Sequence, residues 1–137
     1  MNRSELQALA TLRLREARVL FKAKQYSGAY YLAGYSVECA LKACIAKQTQ
    51  RFDFPDKKRA ENSYSHQPSG LLKVADLEKD LQADMKANTK LQASWDQVNS
   101  WSEQSRYKLW SQAEANAMIE AAGRRQDGVL PWIKQRW

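Results

Sequence analysis

The sequence is poor in the residues that interrupt regular structure. Of its 137 residues only 5 are glycine and 3 are proline, whereas a β-sandwich or barrel needs a turn signal after every short strand. The five glycines are scattered along the chain, so neither a Walker nor a Rossmann phosphate-binding loop can be placed. Strong helix formers such as Ala, Leu, Gln, Lys, Glu and Arg dominate instead. These features predict an all-α protein in a single domain spanning residues 1–137.

Histidine and cysteine are also scarce, which limits the kinds of site that the chain can build. There is one histidine, His66, and there are two cysteines, Cys39 and Cys44. A spacing of five in a helical pattern puts the cysteines on different faces, which argues against a disulfide or paired metal ligation. One histidine and two such cysteines do not make a zinc site. We expect no metal and no cofactor.

Long apolar runs are absent as well. No run approaches the ~20 residues that a membrane-spanning helix needs, and the N-terminus continues directly into a charged amphipathic pattern rather than a secretory signal. The sequence therefore predicts a cytoplasmic protein that does not enter a membrane.

The charge of the chain is basic and unevenly distributed. There are 22 basic and 15 acidic residues, a formal net charge of +7. Up to Asn62 the chain carries 12 basic and 6 acidic residues, so nearly all of the excess lies in its first half. Such an excess is typical of proteins that bind an anionic partner, a nucleotide or RNA among them, but a net charge of this size also serves solubility alone. Both interpretations stay open.

Hydrophobic spacing predicts two long helices at the start of the chain. The first runs from an N-cap at Ser4 to about Lys24, and its Leu12 and Val19 form a narrow second stripe suited to a homodimer. The second, residues 29–47, is apolar almost all round and rich in small residues, which indicates a helix buried among others.

The rest of the chain is predicted to alternate loops and shorter helices. Residues 48–69 are predicted to be a long loop, residues 70–91 a helical stretch broken once or twice, and residues 93–101 another helix. After a turn over residues 102–110, Ser111 and Glu114 form a capping box that opens the last helix. Pro131 should kink or end that helix.

One polar stripe interrupts the buried second helix. Tyr31, Tyr35, Glu38 and Lys42 follow one another at offsets of four, three and four, which places them on one side. A carboxylate on a buried helix must be paired, because burying it alone costs several kcal/mol. We expect Arg106 to be the partner of Glu38 through a bidentate ion pair. Alternatively, the cations and tyrosines of this stripe line a cleft for a nucleotide phosphate and base.

Four segments together suggest a family. The run from Tyr30 to Ala43, YYLAGYSVECALKA, resembles the second-helix signature of HEPN domains (higher eukaryotes and prokaryotes nucleotide-binding). His66 stands at the head of the next helical region, Ser105 to Tyr107 resemble the family's Arg-Tyr turn, and Val129 to Ile133 resemble its closing segment. The resemblance covers nearly the whole chain.

The resemblance implies an up-and-down bundle, here of about five helices, that commonly dimerises. Many HEPN domains are metal-independent ribonucleases, in which four to six residues separate an arginine from a histidine on a late helix. Others bind nucleotides or partner a nucleotidyltransferase. No histidine follows Arg106, Arg124 or Arg125. The one formal match, Arg59 and His66, lies in the predicted loop, and there His66 is better explained by local packing or capping.

We therefore predict a non-catalytic protein that binds a nucleotide or RNA, or partners a nucleotidyltransferase, within a toxin–antitoxin or defence module. The first alternative is a metal-independent ribonuclease toxin or defence effector, which would use Arg59 with His66, or Arg106 with a tyrosine. The second is a structural helical interaction module. The residues predicted to bind the ligand are Tyr31, Tyr35, Glu38, Lys42, Arg106 and Tyr107.

Overall fold

The computed structural model describes all 137 residues and contains only helices. The all-α prediction is confirmed, although the number of helices is larger than the five expected. The α-helices are α1 (Arg3–Lys22), α2 (Tyr26–Gln48), α3 (Lys57–Ser63), α4 (Pro68–Val74), α5 (Glu78–Ala87), α6 (Thr89–Asn99), α7 (Gln112–Gly123) and α8 (Val129–Lys134), with one 3-10 helix, η1 (Glu103–Tyr107), between α6 and α7.

Helix α2 is the centre of the fold. It packs against α1, α4, α7, α8 and η1, and more than half of its residues are buried. Its small side chains let these neighbours approach closely, as the sequence predicts. Because α2 is covered on nearly every side, its packing fixes the positions from which its few polar side chains extend.

Trp101, in the connection between α6 and η1, docks η1 onto α2. Its side chain is fully buried, and its indole N–H donates a hydrogen bond to the backbone carbonyl of Tyr31 at 3.2 Å. The ring lies directly over Gly34: a Cβ atom placed on that glycine would come within 2.1 Å of the indole Cδ1. The absence of a side chain at Gly34 therefore lets η1 lie against α2.

Several helix boundaries differ from the predicted ones. Helix α1 is capped by Asn2 rather than Ser4, since the Asn2 side chain accepts from the Glu5 amide and the Glu5 carboxylate accepts from the Asn2 amide. The predicted loop 48–69 contains α3, which begins because Asp56 caps it by accepting from the Arg59 amide.

The later helices follow the predicted pattern more closely. The stretch 70–91 is broken as expected, into parts of α4, α5 and α6, and the Ser111–Glu114 capping box is confirmed at the start of α7. Pro131 does not kink or end the last long helix, because α7 has already ended at Gly123 and Pro131 lies in the first turn of α8. In a first turn the missing proline N–H costs no intrahelical hydrogen bond.

None of the helices is both long enough and apolar enough to span a membrane. Leu12 and Val19 are exposed on α1 and take no part in the core of the single chain. Self-association through them stays a prediction.

Candidate functional site

Helix α2 presents two parallel tyrosine rings at the protein surface. Tyr31 and Tyr35 are stacked with ring centroids 6.0 Å apart and planes 7° from parallel, as side chains one helical turn apart can be. The Tyr31 ring also packs against the buried ring of Trp101, with the two ring centroids 5.6 Å apart. Both tyrosines are only partly buried, so one end of the pair is fixed by the core while part of each ring remains accessible.

One guanidinium lies near the Tyr35 end of this tyrosine pair, and a second lies on η1, which packs against α2. Arg13 of α1 is 6.0 Å from the centre of the Tyr35 ring. Arg106 of η1 lies 4.9 Å from the Tyr107 ring, and the Tyr107 hydroxyl raises the pKa of the Arg106 guanidinium, with a further contribution from Tyr31. We call these four residues, Tyr31, Tyr35, Arg13 and Arg106, the tyrosine row.

Next to the tyrosine row, α2 carries a buried carboxylate. The Glu38 side chain is only 3% exposed. Its Oε1 accepts a hydrogen bond from Lys42 Nζ at 2.9 Å and faces His66 Nδ1, also at 2.9 Å. Its Oε2 is buried without any hydrogen-bond partner. All of the partners of this carboxylate therefore meet at one oxygen.

His66 is held between two carboxylates. While Nδ1 faces Glu38, Nε2 lies 3.2 Å from Glu103 Oε2 of η1. An ionised carboxylate can only accept hydrogen bonds, and a neutral imidazole has only one N–H to donate. Both contacts are hydrogen bonds at once only if the ring is an imidazolium. We call Glu38, Lys42, His66 and Glu103 the ion cluster; with an imidazolium it carries two positive and two negative charges.

The predicted ion pair between Arg106 and Glu38 is wrong. Arg106 is exposed at the surface, and the partners of Glu38 are Lys42 and His66. Lys42 is one helical turn from Glu38 on the same helix, so that this pair forms without ordering a distant segment. The spacing of four was visible in the sequence, whereas the contributions of His66 and Glu103 depend on long-range folding.

Arg59 and His66, the formal ribonuclease match, contact different parts of α2. The Arg59 guanidinium donates to the Gln48 side chain at 2.6 Å, whereas His66 contacts Glu38. These two α2 residues are ten positions apart, which corresponds to roughly 15 Å along a helix axis. The geometry does not bring Arg59 and His66 together on one reacting group.

One surface cleft lies on the Arg59 side of the protein. Its volume is about 580 Å³, and its lining includes the cations Lys58, Arg59 and Lys73 together with the carboxylates of Asp56 and Asp76. The acidic groups offset much of the positive charge. This cleft contains no residue of the tyrosine row or of the ion cluster.

The two cysteines do not offer a nucleophile. Both Cys39 and Cys44 are buried and free, and burial raises the pKa of each thiol to about 11. A thiol is nucleophilic as the thiolate, so that neither side chain is reactive near neutral pH.

No family model, no curated protein and no solved structure matches this chain.

Proposed function

We propose that the protein is a HEPN-like domain that binds a nucleotide or a single-stranded segment of RNA at the tyrosine row. The observation that supports this proposal is the stacked, partly exposed pair Tyr31–Tyr35, with the Arg13 guanidinium 6.0 Å from the Tyr35 ring and Arg106 exposed on η1, which packs against α2. Aromatic side chains bind bases by stacking, at about 1–3 kcal/mol per base, and arginines hold the phosphates between them. In the proposed complex a base stacks on the exposed part of these rings, and the neighbouring phosphate pairs with an arginine.

Arg106 is the cation best placed to bind a phosphate. It is exposed and makes no ion pair with an acidic side chain, whereas Arg13 is already paired with Glu16 at 2.8 Å. A guanidinium can bind two phosphate oxygens at once through parallel N–H groups. Within the tyrosine row, Arg106 should therefore contribute most of the phosphate binding.

Binding at the tyrosine row predicts that Arg106→Ala weakens the affinity for RNA about tenfold, the effect of losing one charged hydrogen-bonding contact. The measurement is fluorescence anisotropy of a short single-stranded RNA labelled at one end. Arg125→Ala is the matched control, because Arg125 is also an exposed arginine but lies beside α8, far from η1 along the chain. Equal losses in the two variants would show that only the overall charge matters and would contradict the proposal.

A second candidate function is RNA cleavage without a metal ion. The specific observation in its favour is His66, whose Nδ1 is oriented by the buried Glu38 carboxylate, an arrangement that suits a general acid or base. On the preferred proposal the ring does not act as a catalyst, since in the free protein both of its nitrogens face carboxylates. Association with a partner nucleotidyltransferase stays a prediction from the resemblance.

We expect RNA to remain intact when it is incubated with the purified protein in EDTA and separated on a denaturing gel. Cleavage by the wild type that is abolished in His66→Gln would replace the binding proposal by the catalytic one. Cleavage that persists in His66→Gln would exclude His66 as the catalytic group.

A further inference from the structure

The contact between His66 and Glu103 is the outermost one in the ion cluster. Glu38 is almost completely buried, but the side chain of Glu103 is 37% exposed and that of His66 is 42% exposed. The Glu103 carboxylate therefore contacts Nε2 of the imidazole at the exposed end of the cluster. Glu38 fixes the opposite side of the ring from within the core.

Glu103 is also the member of the cluster that can move at the lowest cost. It is the first residue of a short 3-10 helix, and its carboxylate can turn into water without leaving a buried charge behind. Glu38 cannot do so, because its own Oε2 is already buried without a partner and exposure would require α2 to be displaced.

The charges around His66 favour an anion at the position that Glu103 holds. On the α2 side, the ring contacts Glu38, which also pairs with Lys42. On the η1 side, the ring contacts Glu103, and the same short helix carries Arg106. Without Glu103, the charges of Lys42 and Arg106 face the single carboxylate of Glu38, and His66 Nε2 loses its partner. A phosphate group would restore the balance of charge.

We propose that His66 Nε2 and the Arg106 guanidinium form a phosphate subsite that the Glu103 carboxylate fills in the free protein. The proposal rests on the function proposed above and assigns the ligand group that binds beside the tyrosine row. A phosphate of the ligand displaces Glu103, accepts a hydrogen bond from the Nε2–H of His66 and pairs with Arg106. Glu103 thereby weakens the binding of anions that lack the rest of a nucleotide, because every ligand must displace it.

The sole histidine of the chain gives a direct readout of this subsite. The imidazole C–H resonances of His66 can be followed by proton NMR at pH 6.0 while inorganic phosphate is added. We expect Glu103→Gln to bind phosphate about tenfold more tightly than the wild type, which corresponds to the loss of one charged competitor. Glu120→Gln, an exposed glutamate of α7, is the control and should match the wild type.

Glu103→Ala is measured in parallel, because the glutamine side chain could keep a hydrogen bond to the ring. Circular dichroism establishes that each variant is folded. Tighter phosphate binding in either Glu103 variant, with a shift of the His66 resonances, supports the subsite. A His66 signal that does not respond to phosphate in either variant, or affinities equal to that of the wild type, would overturn it.

The same proteins separate this subsite from the proposed function. RNA binding that is weakened in Arg106→Ala, together with a His66 signal insensitive to phosphate in the Glu103 variants, would refute the subsite alone. A shift of the His66 resonances with phosphate, without any RNA binding, would refute the proposed function. The subsite would then be a site for phosphate alone.

Discussion

Gly34→Ala is expected to lower the free energy of unfolding by about 3 kcal/mol, at the upper end of the usual cost of overpacking a core. The new methyl group would lie 2.1 Å from Cδ1 of the Trp101 ring, which is too close for two carbon atoms that are not bonded to each other. Trp101 is fully buried, so that its ring cannot turn into solvent. The ring must shift together with η1, and the hydrogen bond to the Tyr31 carbonyl is lost. Urea denaturation followed by tryptophan fluorescence measures the change.

Gly28→Ala is the matched control for this substitution. Gly28 also lies in α2, but the atom nearest to a Cβ placed on it is a terminal methyl of Leu20 at 3.2 Å, which can give way at little cost. Alanine is favoured over glycine in a helix by up to about 1 kcal/mol. Gly28→Ala should therefore leave the stability unchanged or raise it. Equal losses at Gly28 and Gly34 would show that the contact with Trp101 does not set the position of η1.

Glu38→Ala is expected to lower the free energy of unfolding by about 2–3 kcal/mol. The substitution removes the carboxylate that both Lys42 and His66 contact and leaves a gap beside α2. Breaking a fully buried ion pair costs about 3–5 kcal/mol, but the side chains of Lys42 and His66 are 22% and 42% exposed and can reach water. The cost should accordingly be smaller than for a fully buried pair. Thermal and urea unfolding of both proteins give the difference.

Glu120→Ala provides the comparison for Glu38→Ala. Glu120 also lies on a helix and pairs with Arg124 one turn away, but both side chains are 48% exposed. An exposed pair of this kind contributes about 0.3–0.5 kcal/mol. If Glu38→Ala cost no more than Glu120→Ala, the ion cluster would not hold His66 and η1 against α2.

The sequence predicts the parts of the site that lie on one helix. Tyr31, Tyr35, Glu38 and Lys42 fall on one side of α2 because the helical period alone decides it. The small residues of the same helix likewise indicate its burial. These relations depend only on the spacing of residues within one helix, so they do not depend on how the rest of the chain folds.

The contacts that complete the site are long-range. His66 lies 28 residues from Glu38 in sequence. The position of Glu103 depends on the packing of Trp101 against Gly34, and the periodicity of the sequence does not predict that contact. The predicted Arg106–Glu38 pair failed for this reason: Lys42 and His66 already occupy the carboxylate. The two residues of η1 that matter most, Glu103 and Arg106, are positioned by the packing of a buried indole.

The central claim, that the tyrosine row binds nucleotide, is tested most directly by mapping where a short single-stranded RNA perturbs the NMR spectrum of the labelled protein. We predict that the shifts concentrate on Tyr31, Tyr35, His66, Arg106 and Tyr107. Shifts confined to the cleft of Lys58, Arg59 and Lys73, or spread evenly over basic residues on all sides, would contradict it.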